Sequence, residues 1–448
     1  MAFTHSVRAL HTRLHQRRNQ RKPQQKNRTG ARPSNLYETT PLPIVARPRP
    51  HLYPEHIMIR SIQIDGFKSI VSQTLELGRV NCFIGANGVG KSNVLEAIGV
   101  LGAAASGKVD DESLLRRGVR PGLPRLYKSS FESASVPVHI GLSAKSAKAS
   151  YRVSLLNPLE NPEPAWSFKT ERLSADGEEI VSDGVRNRRN LTPTAGLAAL
   201  KLVEVDNANP AAMLMQRLQN FAIYAPNTPT LRAMVGDPQS RNPLGLSGGR
   251  LAEAFAEFRK TILDRDEDLL DSVLELVDWV ADIQTTSSAG ALLSPSVART
   301  KNVLKFTDRF MRRSRNTLTA YDASEGALYV LFCAILCLSP HAPPMFAIDN
   351  LDQALNPRLV GRLTAKLVKW LARGDASRQL LFTAHNPAVL DGMDLNDPEV
   401  RLFAVERNSE GHTVVRRIEL SAELRQLHAT YPLSRLWLMG NLGAVPNV

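Results

Sequence analysis

The chain of 448 residues has only three cysteines, Cys82, Cys333 and Cys337. Each lies in apolar sequence, and none is spaced with histidine as a metal site requires. They read as buried thiols of a reducing cytosol, not as disulfides or ligands. Long apolar runs are also missing. The longest, ALYVLFCAILCL at 327–338, falls short of the roughly 20 residues that span a bilayer. It reads as a buried core helix, so no membrane span is expected. No heptad pattern persists, which excludes a long coiled-coil arm, and no internal repeat is found. Acids are scarce at one end. Residues 1–57 hold eleven Lys/Arg against two Asp/Glu, which is +9 of the chain's net +13.

What is present fits a globular protein, with 43% hydrophobic and 22% charged residues. The Arg-, Gln-, Asn- and Pro-rich tail lacks apolar periodicity and is expected to be disordered. It suits nucleic acid or an acidic membrane surface, or it is inert and an over-long start, since Met58 opens the first orderly strand. Its few acids are those of a transit peptide, but its prolines spoil an amphipathic helix.

MIRSIQI from Met58 alternates as a strand, GFKS turns, and a second strand follows near Val71–Leu77. VNCFI at 80–84 has the unbroken apolarity of a buried strand. It runs into Gly85, Ala86, Asn87, Gly88, Val89, Gly90, Lys91 and Ser92, and Asn93 then begins a helical stretch. This is G-x-x-x-x-G-K-S between strand and helix. Gly85, Gly88 and Gly90 let N–H groups curl round phosphate oxygens, and the helix dipole favours negative charge. Lys91 faces the outer phosphates and Ser92 offers a hydroxyl to Mg²⁺. The competing reading is an ordinary glycine turn.

From about 103 to 315 the chain is mixed. VPVHIGLS, YRVSLL and SFKTERL read as antiparallel strands; Pro210–Asn220, Arg250–Leu263 and Glu267–Val280 read as helices. RLYK at 125–128 and RNRRN at 186–190 are basic patches, read as solvated loops. LSGGR at 246–250 has the form of an ATP-binding-cassette signature, but it lies 102 residues before Asp349. It reads instead as a helix start capped by Ser247. SEGAL at 324–328, 25 residues before Asp349, is the better candidate, and a capped helix start there is also a good anion site. Asp322 and Glu325 there also have capping-box spacing.

MFAID at 345–349 reads as a short buried strand that delivers Asp349, followed by Asn350. Such an aspartate holds Mg²⁺ beside Ser92, or merely starts a turn. RLVGRLTAKLVKWLA is a helix, and RQLLFTAH is another strand ending in His385. That histidine is either structural or able to reach a terminal phosphate.

Together GANGVGKSN, ASEGAL, FAIDNLDQALNP and FTAHNP resemble the ATPase heads of the SMC, RecF and OLD-type families. The set is most similar to bacterial standalone AAA family ATPases with an ABC/SMC-like core. MIRSIQIDGFKSI matches their first strands and LSRLWLMGNLGAVP their tail, so the resemblance covers 58–448. It implies an α/β P-loop NTPase of the ABC/SMC-head type, with a mixed central sheet flanked by helices. An antiparallel β and helical insertion would separate the P-loop from the signature. The expected organisation is a tail over 1–57, an N-lobe over 58–105, an insertion over 106–315, a C-lobe over 316–420 and a helical tail over 421–448.

The resemblance further implies two heads sandwiching ATP and Mg²⁺. Lys91 and Ser92 of one head would face Ser324 and Gly326 of the other, with Asp352 communicating across the dimer. Partners would be a second copy, DNA and a nuclease or other effector. Two departures stand out. Asn350 replaces the usual glutamate, and an amide cannot accept a proton from water. No glutamine lies between Asn93 and Met215 to touch the metal. With Asn350, Asp349 and His385 as catalytic candidates, hydrolysis is expected to be slow. The 63 residues after His385 are too few for the nuclease domain of OLD-type proteins. The alternatives are a non-hydrolysing ATP-dependent scaffold and a transporter cassette, the latter requiring LSGGR to be the true signature.

Overall fold

VNCFI, MFAI and QLLFTA are apolar at nearly every position, which suits strands covered on both faces. In the computed structural model, which describes residues 57–132, 135–183, 192–263, 266–287, 292–293 and 302–443, they form the middle of one sheet. Its order is Thr413–Ile418, Val400–Arg407, Val80–Ile84, Gln379–Ala384, Met345–Ile348, Ala222–Tyr224. Neighbours are parallel throughout, except that Thr413–Ile418 returns antiparallel to Val400–Arg407. The sheet is therefore mixed.

Side chains alternate across these strands. Cys82, Ile84, Phe346, Ile348, Leu380 and Phe382 enter one core, beneath the helices Glu325–Leu338, Pro357–Arg373 and Leu433–Leu438. Phe83, Met345, Ala347, Leu381 and Phe403 enter the other, against the helices Lys91–Ala105 and Pro210–Asn220. That second core is closed by a six-stranded antiparallel sheet. Its order is Ile70–Glu76, Ser61–Phe67, Ile140–Lys145, Ala149–Leu156, Ser167–Ala175, Glu178–Asp183. Helix Glu325–Leu338 is buried from Ala327 onward, as its uniform apolarity requires.

The stretch expected as an insertion, 106–315, joins both large sheets. Ala222–Tyr224 is an edge of the central sheet, and Ile140–Lys145 pairs with Ser61–Phe67 from before the P-loop. The helix expected over Glu267–Val280 ends at Leu274, and Val280 instead opens a strand. Val280–Thr286, Val303–Asp308 and Thr317–Thr319 make a third, antiparallel sheet that the sequence reading missed. In RLYK, Tyr127 and Lys128 are buried, so it is no solvated loop. The tail up to residue 56, RNRRN at 186–190 and residues 444–448 lie outside the described residues. Among the described residues no helix is long and apolar enough to cross a membrane.

Candidate nucleotide-binding site

Three parallel strands end at the same edge of the sheet, and each delivers one motif. Ile84 pairs with Ala384, and Ile348 with Phe382. Gly85, His385 and Asp349 therefore emerge side by side, where open parallel sheets bind ligands. The loop after Ile84 uses left-handed backbone at Gly88 (φ 77°) and Gly90 (φ 109°). A Cβ on Gly90 would meet Thr413 Oγ1 at 2.2 Å. A Cβ on Gly88 would meet nothing within 4 Å, because that side opens into the cavity.

The loop is held from behind. Thr413 Oγ1 donates to Val89 O (2.6 Å), and Asn93 Nδ2 donates to Ser69 Oγ (2.8 Å) in the GFKS turn. Arg407 donates through Nε and Nη2 to Gly88 O (3.1 and 3.0 Å). That carbonyl is thereby drawn outward.

Lys91 Nζ donates to Gly85 O (2.8 Å) and Ala86 O (2.7 Å), and lies 3.2 Å from His385 Nδ1. Burial pulls its ammonium down to about 8, although Asp349 and Asp352 hold it up. Ser92 Oγ lies 3.0 and 2.9 Å from the two oxygens of Asp349. Thr383 Oγ1 donates to Asp349 Oδ1 (2.6 Å) and accepts from Asn350 N (2.8 Å).

A lysine ammonium only donates, so His385 Nδ1 accepts. The proton then sits on Nε2, which donates to Asn350 Oδ1 at 3.0 Å. Burial and Lys91 both lower the His385 pKa, which keeps the ring neutral. Asn350 has φ 55°, a left-handed conformation that Asn adopts more readily than Glu. Asp352 Oδ2 accepts from His385 N (2.9 Å) and Asn386 N (2.5 Å), while its Oδ1 is buried without a partner among the described residues. Within this chain Asp352 thus anchors the backbone that carries His385.

Gly85 to Asn93, Asp349, Asn350, Asp352 and His385 are therefore brought together. Asn87, Gly88, Gly90, Lys91, Ser92, Asn93, Asn350 and His385 line one cavity of about 340 Å³. Arg120 also lines it, unforeseen from sequence. Arg120 Nε donates to Glu96 Oε1 (2.5 Å), and Lys68 takes the other oxygen. Burial would raise the Glu96 carboxyl, but the two cations bring it below its ordinary value.

Ser324 and Gly326 line a different cavity of about 330 Å³, with Trp279, Ala354, Asn356, Arg358 and Arg362. Ser324 is the N-cap of its helix but makes no side-chain cap bond; its Oγ accepts from Trp279 Nε1 (3.3 Å). The capping box does not form, because Asp322 turns back to Thr319 N and Oγ1. Ser247 does not cap either. The helix after LSGGR begins at Leu251 with Arg250 as N-cap, and the N–H groups of Ser247 and Gly249 go to Asp237.

The residues fit a nucleoside triphosphate with Mg²⁺. Gly88 faces open space, Lys91 is a buried cation that phosphate would hold charged, and Ser92 with Asp349 is a hard oxygen pair.

The family described as "AAA domain, putative AbiEii toxin, Type IV TA system" matches residues 80–391. The chain belongs to this AAA family. With its mixed sheet and P-loop edge, this member has the α/β fold of a P-loop ATPase. A DNA replication and repair protein RecF from Shewanella loihica is 25% identical over 372 residues, 77% of this chain and 97% of that protein. Its namesake from Paenarthrobacter aurescens is 29% identical over 140 residues, 31% and 33% of the two chains. Among solved structures, an Smc head bound to the C-winged helix domain of ScpA covers 82% of this chain and 99% of its own, at 13% identity and a TM-score of 0.47. The SMC head domain from Thermotoga maritima covers 81% and 99%, at 12% identity and a TM-score of 0.40.

Proposed function

We propose that this AAA family member is a cytoplasmic SMC/RecF-like head that dimerises around ATP, hydrolyses it slowly and works as a switch in DNA-related processes. Genome maintenance and anti-phage defence are both within that reading, with a partner protein as effector. The Ser92–Asp349 contact behind Lys91 carries it. Two hard oxygens of the kind Mg²⁺ takes, near the Lys91 ammonium and at the carboxyl ends of parallel strands, support the reading. Lys91 and Arg120 would neutralise phosphate oxygens, and Ser92 and Asp349 would hold the metal, which supplies charge screening at the reacting phosphate. The relative named for DNA replication and repair supports the DNA-related role.

Asn350 favours slow chemistry. Its Oδ1 already accepts from His385 and retains one lone pair, enough to orient water but not to take its proton. Ser324 and Gly326 sit away from the chain's own P-loop cavity, which suits action on the nucleotide of a second copy.

The test is steady-state Mg·ATP hydrolysis beside Lys91→Ala, with nucleotide binding measured in parallel. Binding by the wild type and turnover above the variant are expected. Binding with ATP-dependent dimerisation but no turnover would replace the switch with a non-hydrolysing scaffold, the second reading that Asn350 favours. No binding would end both.

A further inference from the structure

The third sheet carries an unusual loop. Val303–Asp308 and Thr317–Thr319 are joined through Arg309-Phe310-Met311-Arg312-Arg313-Ser314-Arg315, which holds four arginines and no acid. The loop has a defined shape. Asp308 Oδ1 accepts from Phe310 N (2.7 Å) and Met311 N (2.8 Å), so this carboxylate is turned to backbone. Arg315 N donates to Arg312 O (2.7 Å), and Asp308 N donates to Asn316 O (2.8 Å). At the base, Arg309 N donates to Trp279 O (3.0 Å) and Arg309 Nη2 to Val280 O (2.8 Å).

The tip points its chemistry at solvent. Phe310 is 78% exposed and Met311 42% exposed, and Arg312, Arg313 and Arg315 are exposed beside them. None of these three joins an ion pair among the described residues.

We propose that the 309–315 hairpin tip is a contact surface for single-stranded DNA, with Phe310 stacking on a base and Arg312, Arg313 and Arg315 pairing with flanking phosphates. This rests on the DNA-related part of the function proposed above and gives it a place on the molecule. An aromatic face and cationic groups side by side are what single strands require, since every unstacked base offers a π-face. All four cations are guanidinium groups, which pair bidentately with phosphate and stack on bases as ammonium groups do not. A lipid surface is the weaker match. Two apolar side chains at a tip lack the broad apolar face by which interfacial segments bind. The base of the hairpin rests on Trp279, whose indole N–H holds Ser324, so the contact would lie close to the signature helix.

Fluorescence anisotropy of the full chain with a labelled single strand and its matched duplex tests this, over a series of salt concentrations. Phe310→Ala should weaken single-strand binding by about 5- to 100-fold at an unchanged salt slope. Arg312→Glu with Arg313→Glu should weaken it further and lower the slope by about 1.4. Mg·ATP binding should be unchanged in both, which controls for folding. If the wild type binds DNA and both variants bind it equally well, the hairpin is not the surface, while the DNA-related reading stands. If the wild type binds neither strand form, that reading and this inference fall together. Phe310-dependent binding to vesicles of anionic lipid, with DNA binding indifferent to Phe310, would also overturn it.

Discussion

Asn350 and His385 form one unit with Lys91, and their protonation follows from donor counting. Lys91 can only donate, so His385 must accept at Nδ1 and donate from Nε2. Asn350 Oδ1 receives that bond at 3.0 Å. A glutamate at 350 would accept the same bond and still have an oxygen free for water. Asn350→Glu is therefore expected to raise single-turnover hydrolysis. The ceiling is the 10²- to 10⁴-fold typical of a general base, while Glu in the left-handed backbone would cost the variant about 1 kcal/mol of stability. Rapid quench would read it, and an unchanged rate would show that proton transfer does not limit. Lys91 adds a pH dependence. Its pKa in the free protein is about 8, and bound phosphate would raise it. Below about pH 8 the cation is already present. Above it, binding must be accompanied by proton uptake, so affinity should fall by up to about tenfold per pH unit. Titration calorimetry should show this for the wild type and a flat profile for Lys91→Arg, since arginine stays charged.

At the scale of elements, unbroken apolarity made the central strands legible, and the strand–loop–helix context made the P-loop legible with them. Val80–Ile84, Met345–Ile348 and Gln379–Ala384 are buried at every position. The same property hid other features. Trp279 and Val280 continue an apolar periodicity that reads as helix, yet the chain turns after Leu274 because Val280–Thr286 has a strand partner in Val303–Asp308. Arg120, Thr383 and Arg407 reach the site only through tertiary contacts: the Glu96 pair, the strand register and the Gly88 carbonyl. No local spacing announces them. The reading of LSGGR and SEGAL was right about which segment begins a buried helix but wrong about the caps, because Asp237 and Thr319 are distant or backward partners that spacing cannot rank. A stability contrast follows from burial. Phe332, fully buried on helix Glu325–Leu338, packs edge-on against Tyr224 at 5.9 Å. Phe332→Ala should cost about 3–5 kcal/mol in urea unfolding. Phe310→Ala, on the exposed tip, should stay within about 0.5 kcal/mol.

For the whole molecule, the two cavities set the geometry of any switch. The P-loop cavity is lined by Lys91, Arg120 and Ser92, whereas the cavity around Ser324 and Gly326 holds Arg358 and Arg362 and no P-loop residue. In the proposed switch these two cavities would be halves of one phosphate site, completed by pairing with a second copy, so that each interface would use the same patch twice. Ser324→Arg separates binding from pairing. The substitution leaves Lys91, Ser92 and Asp349 untouched, so nucleotide affinity of the single head should be preserved within about twofold. The added bulk and the loss of the serine at the helix start should block closure on a partner. Light scattering with size exclusion should find the wild type enriched in dimer with Mg·ATP, and Ser324→Arg monomeric under the same conditions. If Ser324→Arg dimerises with ATP as the wild type does, the signature surface is not where the heads meet. ATP would then drive pairing through another surface, and Ser324 and Gly326 would have no phosphate of a partner to face.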